Sequence, residues 1–240
     1  MKKVKIDCNG YTILGDWYEG SVSQVVLLLM GFTSARERQV DMATAILQDT
    51  RRSVLVIDYS GHGDSPYHLK DTSPAQHLLE VVKSYDWIKQ HDPGARVSVV
   101  GTSYGGFLAS HLVRYREVEQ LVLRAPAIYR QEAFYDQWSK RFDDEESYGN
   151  DMDKYRADTT MLNSNIIFSE LNFEGRALVV VHERDELIPT TVTNAYTNAF
   201  SSDVYIAKGF KHALSQSNLT EKQFEEYETA ITSWLNSTRG

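Results

Sequence analysis

One cysteine, Cys8, occurs in 240 residues. No disulfide within the chain can form from it, so neither a disulfide framework nor a thiolate-rich metal site is available. Such usage fits a reducing compartment, and the expected location is cytoplasmic. Long hydrophobic runs are also missing. The longest aliphatic stretch near the front, Val25–Met30, is far too short to cross a bilayer. The opening Met1-Lys2-Lys3-Val4-Lys5-Ile6-Asp7 is basic, but it reaches Asp7, Asn9 and Gly10 before an apolar signal core can develop, so it reads as a first strand. Positive charge is in deficit: 25 Lys and Arg against 33 Asp and Glu leave a formal charge of −8. That balance disfavours nucleic acid and anionic membranes as partners. No H-E-x-x-H, C-x-x-C or H-x-H pattern occurs, and neither does a P-loop or G-x-G-x-x-G. Neither a metal nor a nucleotide cofactor is therefore expected.

What is present is an ordinary globular composition, 42% apolar and 24% charged, at a length that suits one large α/β domain spanning 1–240. Short runs rich in Val, Ile and Leu recur at Val25–Met30, Ser53–Asp58, Val97–Gly101, Gln120–Leu123, Ala177–His182 and Val204–Ala207. Runs with little alternation are what strands look like when both faces of a sheet are covered. Amphipathic segments lie at Ala35–Gln48, Pro74–Gln90, Gly105–Tyr115, Thr190–Phe200 and Glu221–Asn236. The alternation predicts a mainly parallel, doubly wound sheet with helices on both faces. Lys3–Ile6 and Tyr11–Tyr18, joined through Asn9-Gly10, predict an antiparallel hairpin at its edge. From Ile128 to Glu174 the rhythm stops. Phe134, Trp138 and Phe142 fall four residues apart there, which predicts a helical lid inserted at 128–174 with these rings on one face. Such a lid would sit above the site, with Phe134, Tyr135 and Trp138 as substrate-binding residues. The alternative is that the rings simply pack on the domain.

The sharpest local signal is Gly101-Thr102-Ser103-Tyr104-Gly105-Gly106, between the strand Arg96–Val100 and the helical run from Phe107. The bare G-x-S-x-G pattern is weak. A strand before it and a helix after it make Ser103 a candidate nucleophile, on a turn tight enough to need both glycines. A glycine-rich turn without catalysis is the bland alternative. A serine hydroxyl needs a base. Of seven histidines, His212 follows the last strand and so belongs to the sheet edge that also carries Ser103. His68, His77 and His91 read as loop or helix-surface residues, and His62 with Asp64 as shaping a turn. Asp185, just past the strand Ala177–His182, completes the order Ser, Asp, His; Asp58 and Glu186 are the rival acids. Backbone N–H groups of Tyr104 and Phe32 are the expected oxyanion donors, with Gly31 allowing close approach.

Met30-Gly31-Phe32, Asp58-Tyr59-Ser60-Gly61-His62-Gly63-Asp64-Ser65, Gly101–Gly106, Asp185 with Ile188-Pro189, and His212 together resemble the α/β-hydrolases. The nearest likeness is to small esterases of the cinnamoyl/feruloyl esterase and monoacylglycerol lipase type. Tyr104 after the nucleophile also resembles the prolyl-oligopeptidase-like and dienelactone hydrolase-like branches. The resemblance implies a carboxylic ester hydrolase that acts on a small-molecule ester through an acyl-enzyme on Ser103. A thioesterase, a small peptidase or a non-catalytic hydrolase-like binding protein are the alternatives. Two positions depart from the family pattern: Met30 stands where histidine is usual, and Ser60 where arginine is common.

Overall fold

The computed structural model describes residues 1–140, 157, 159, 162, 165–169, 171 and 173–237. Among the described residues, eight strands form one sheet: β1 (Lys2–Asp7), β2 (Thr12–Tyr18), β3 (Val22–Leu29), β4 (Arg52–Asp58), β5 (Arg96–Thr102), β6 (Gln120–Arg124), β7 (Arg176–His182) and β8 (Asp203–Ala207). Their spatial order is β1-β2-β4-β3-β5-β6-β7-β8. β1 and β2 form the expected antiparallel hairpin, and its turn places Asn9 and Gly10 at φ 61° and 106°. β2 is antiparallel to β4. From β4 to β8 every pairing is parallel, so all these strands point their carboxyl ends to one edge.

The main described helices are α1 (Val40–Thr50), α2 (Pro74–His91), α3 (Tyr104–Leu112), α4 (Thr190–Ala199) and α5 (Glu221–Asn236). Ser73 caps α2 through the Gln76 N–H, with Pro74 at the first helical position. Thr220 and Gln223 form a capping box on α5. Alternate residues of each strand serve the two faces. Val25, Leu27, Leu29, Val97 and Val99 pack with α2, α3 and α4. Val26, Leu28, Val54 and Val56 pack with Met42 and Ile46 of α1 and with Tyr227, Ile231 and Leu235 of α5. This two-sided burial explains why β3, β4, β5 and β6 read as continuous apolar runs; β8, at the sheet edge, leaves Val204 and Ile206 exposed.

The segment after β6 differs from the sequence expectation. Phe134 and Trp138 do not share one regular helix; the chain makes 3₁₀ turns at Gln131–Ala133 and Trp138–Lys140. Phe142 lies outside the described residues. In a helix the Trp138 N–H would bond to the Phe134 carbonyl. Instead Phe134 C=O accepts from the Ala75 N–H at 2.9 Å, and the Trp138 N–H goes to Thr72 C=O at 2.9 Å. Both groups are given to the start of α2, so the spacing of the aromatics survives without the helix.

Four histidines, His62, His77, His111 and His182, are buried. Burial holds His62, His77 and His111 down to about 3 and His182 to about 4, with His77 adding to the effect on His62 and positively charged Arg114 and Arg124 to that on His111 and His182. In the unfolded chain each would take up a proton near pH 6.5. Between that pH and the native values the unfolded state holds more protons, so stability falls as pH falls, by about 1.4 kcal/mol per pH unit per histidine. Burial pushes Asp58 and Glu80 upward, which opposes this trend at its acid end. The melting temperature is therefore expected to drop steeply below about pH 6. A melting temperature constant from neutrality to pH 5 would contradict buried, neutral histidines.

Candidate active site

Ser103 stands at the carboxyl end of β5, near the middle of the sheet, and opens α3. Its backbone is in an unusual conformation, φ 52° and ψ −112°, which costs of order 1–3 kcal/mol for a non-glycine residue. Hydrogen bonds on both sides hold it there. Its N–H donates to Arg124 C=O at 2.9 Å, and its C=O accepts from Ala127 and Phe107 N–H, each at 3.1 Å. The flanking glycines are required by contact. A Cβ at Gly101 would lie 2.4 Å from Gly105 O, and one at Gly105 only 2.3 Å from Leu29 O. Both clashes are with backbone, so neither can be relieved by a side-chain shift.

β7 and β8 deliver the other two groups to the same edge. His212 Nε2 lies 2.9 Å from Ser103 Oγ, and His212 Nδ1 lies 2.9 Å from Asp185 Oδ2. Asp185 Oδ1 accepts from the N–H groups of Leu187 and Ile188 at 2.9 and 2.8 Å. Burial works to raise the Asp185 pKa, but the His212 bond and these two donors outweigh it, so the carboxyl sits below its ordinary range. An ionised carboxylate only accepts, so Nδ1 carries the imidazole proton and Nε2 takes the Ser103 O–H. That arrangement can move the serine proton to the ring as the oxygen attacks. All three groups are nearly enclosed: Ser103 is 4% exposed, and the side chains of His212 and Asp185 are 9% and 6% exposed.

The rival acids are placed elsewhere. Glu186 is exposed. Asp58 is fully buried, and its carboxylate accepts from the backbone N–H and guanidinium of Arg36 and from the Asp64 N–H. Arg36, itself buried, also meets Asp16 and Asp64. Sequence reasoning missed this ion cluster, which ties the chain after β3 to the Asp58 turn.

Gly31–Ser34 is a turn closed by the Ser34 N–H on Gly31 C=O at 3.2 Å, with Thr33 at φ 61°. The Phe32 N–H takes no part in that turn's own bond. The turn lies beside the nucleophile: a Cβ on Gly31 would be 3.7 Å from Ser103 Cβ. That is ordinary contact, so Gly31 is not demanded by close backbone approach; its missing side chain keeps the space beside Ser103 open. Tyr104 opens α3, which puts its N–H at the positive end of the helix.

The three aromatic candidates are placed differently. Trp138 is fully buried against Phe32 at 4.7 Å between ring centroids and Tyr104 at 6.0 Å. Phe134 packs on His111 and Phe107 of α3 at 4.8 and 6.2 Å. Tyr135 is 81% exposed. His77, expected on a helix surface, is fully buried: Nδ1 lies 2.7 Å from the Tyr104 hydroxyl and Nε2 3.0 Å from Ser60 C=O. The signal was there, since His77, Val81, Ser84 and Ile88 share the buried stripe of α2. His62 Nδ1 likewise faces Ser60 C=O, at 3.2 Å. Ser60 gives its N–H to buried Glu80 at 2.9 Å and its hydroxyl to the same carboxylate.

The sequence model of the family described as "Serine aminopeptidase, S33" matches residues 20–148. No curated protein matches by sequence. Among solved structures, the esterase Pf2001 of Pyrococcus furiosus is similar with a TM-score of 0.70 and 20% identity, over 98% of this chain and 91% of that one. Est1E of Butyrivibrio proteoclasticus, solved with ferulic acid bound, is similar with a TM-score of 0.70 and 15% identity, over 97% of each chain. An alpha-beta serine hydrolase homologue from Coxiella burnetii is similar at a TM-score of 0.66 and 13% identity, over 98% and 97%. These likenesses show the α/β-hydrolase fold.

Proposed function

The chain belongs to the family described as serine aminopeptidase, S33, and from that premise we propose that it is a carboxylic ester hydrolase working through Ser103, His212 and Asp185. The observation that carries this reading is the single imidazole lying 2.9 Å from both the serine oxygen and the carboxylate. His212 takes the Ser103 proton as the oxygen attacks the ester carbonyl. Asp185 stabilises the imidazolium, which then protonates the leaving alcohol. Water, activated by the same ring, releases the acid from the acyl-enzyme. Backbone N–H groups of Phe32 and Tyr104 receive the charge that develops on the carbonyl oxygen.

Two of the similar structures are named as esterases or contain ferulic acid, which favours an ester as substrate, whereas the family description names a peptidase. The same triad serves both chemistries. Comparing kcat/KM on p-nitrophenyl esters, acyl-CoA and aminoacyl amides tests the assignment. Ester turnover above the other two supports it, and amide turnover above ester replaces it with the peptidase.

Substrate choice is assigned to the 128–174 insertion through Trp138, because that ring abuts Phe32. Phe134, packed on α3, and Tyr135, whose ring lies 5.4 Å from that of Phe134, are the further substrate-binding candidates. Trp138→Ala is expected to cost about 3–5 kcal/mol of stability, as for a large buried ring. It should also shift the preference among short, long and aromatic acyl esters by roughly 10- to 200-fold. Lost stability with an unchanged ranking would leave Trp138 as core alone.

A further inference from the structure

We propose that His182 is a positioning residue for the base, acting through the carbonyl of Lys211 to fix where His212 stands. The inference rests on the triad reading above. His182 ends β7, three residues before Asp185, and is 3% exposed. Its Nδ1 lies 2.9 Å from Lys211 C=O, and its Nε2 lies 3.0 Å from the Tyr227 hydroxyl. Tyr227, in the middle of α5, in turn lies 2.9 Å from Arg124 Nε.

Every bond of this chain has a forced direction. A carbonyl only accepts, so His182 Nδ1 carries the proton. The neutral ring then offers only an acceptor at Nε2, so Tyr227 donates its hydroxyl hydrogen there. The Tyr227 oxygen accepts from Arg124, which cannot accept anything. Burial, with the Arg124 charge beside it, holds His182 near a pKa of about 4, which keeps the ring in this neutral state at ordinary pH. The relay therefore runs from Arg124 through Tyr227 and His182 to the peptide that precedes His212.

Arg124 is anchored to both reacting partners. Its backbone carbonyl holds the Ser103 N–H at 2.9 Å, while its side chain begins the relay that ends at Lys211. Three further bonds, Glu183 N–H to Ala207 C=O at 3.1 Å, Arg184 N–H to Phe210 C=O at 2.8 Å and Gly209 N–H to Glu183 Oε2 at 2.8 Å, join the acid loop to the base loop. Of these bonds from the acid side, the His182 bond is the one that reaches Lys211, next to His212; the Lys211 N–H is held from within the base loop, by Ser217 Oγ at 3.0 Å. A loop that carries a base needs such a fixed point, because a displacement of about 1 Å can cost on the order of 100-fold in rate.

Paired substitutions separate positioning from mere filling of space. In His182→Asn the amide falls near the place of Nδ1 and can still donate to Lys211. In His182→Gln it falls near the place of Nε2, beside Tyr227, and that donation is lost. The readouts are kcat and KM on p-nitrophenyl acetate, counted per Ser103 site labelled by a fluorophosphonate, and the low-field proton resonance of the His212–Asp185 bond. We expect His182→Gln to lower kcat by roughly 10- to 100-fold with little change in KM, and to shift or broaden that resonance. His182→Asn should recover most of the rate. Equal kcat in the two variants, or a His182→Gln resonance identical to that of the unsubstituted protein, overturns the proposal. Failure of the triad reading itself would be seen separately, as Ser103→Ala protein that still turns over substrate.

Discussion

Ser103→Ala is expected to abolish ester turnover while leaving the fold in place. The substitution removes only Oγ. The backbone bonds that hold position 103 at φ 52°, to Arg124, Ala127 and Phe107, do not involve the side chain. Alanine meets the same backbone strain as serine, so folding loses little. What is lost is the attacking atom, together with the group that His212 Nε2 faces. His212→Ala should cost nearly as much, on the order of 10⁴-fold or more, because the serine oxygen is a poor nucleophile until its proton is taken. Combining the two should add little to either alone, as for groups acting as one unit. Steady-state hydrolysis of a p-nitrophenyl ester, with circular dichroism to establish folding, checks all three proteins. Near-normal hydrolysis by pure Ser103→Ala protein would remove Ser103 from the mechanism.

What could be read from the sequence was whatever a local constraint encodes. The turn at Ser103 is of this kind, since Gly101 and Gly105 are demanded by backbone atoms 2.4 and 2.3 Å from where a Cβ would go. That His212 and Asp185 come to Ser103 could be read from their places after strands, because parallel pairing sends β5, β7 and β8 to one edge. The aromatic spacing of Phe134 and Trp138 was real, yet helix was the wrong conclusion, because their backbone groups pair with Thr72 and Ala75, about sixty residues away in sequence. The remainder depends on partners that no window contains. Arg36 gathers Asp16, Asp58 and Asp64 from three separate segments. His182 meets Tyr227 only because α5 brings that hydroxyl to the end of β7, and Arg124 of β6 bonds to the same hydroxyl. Such residues appear in the sequence as unremarkable charges and histidines, and only the packed fold gives them a neighbour.

Asp185→Asn is expected to lower kcat by roughly 10³ to 10⁴, and the reason lies in the two backbone donors behind the carboxylate. Leu187 and Ile188 N–H point at Oδ1, so an asparagine must set its oxygen there. Its NH₂ group then faces His212 Nδ1, where the proton now sits. Two donors cannot share that contact, and the imidazole changes tautomer to accept from the amide. Nε2 becomes protonated towards Ser103 and can no longer receive the serine proton. The geometry is kept and the base is lost, so the defect should fall on kcat with stability little changed. Asp58→Asn should behave in the opposite way. Asp58 is fully buried and answers the buried charge of Arg36, so neutralising it leaves that guanidinium with less compensation, at a cost of about 3–5 kcal/mol. Protein that still folds should turn over normally per labelled serine. Melting temperature and kcat per Ser103 site, measured on both variants, distinguish the roles. If folded Asp58→Asn protein is inactive while Asp185→Asn protein is not, the acid of the triad is Asp58, and the 2.9 Å contact between Asp185 and His212 is structural.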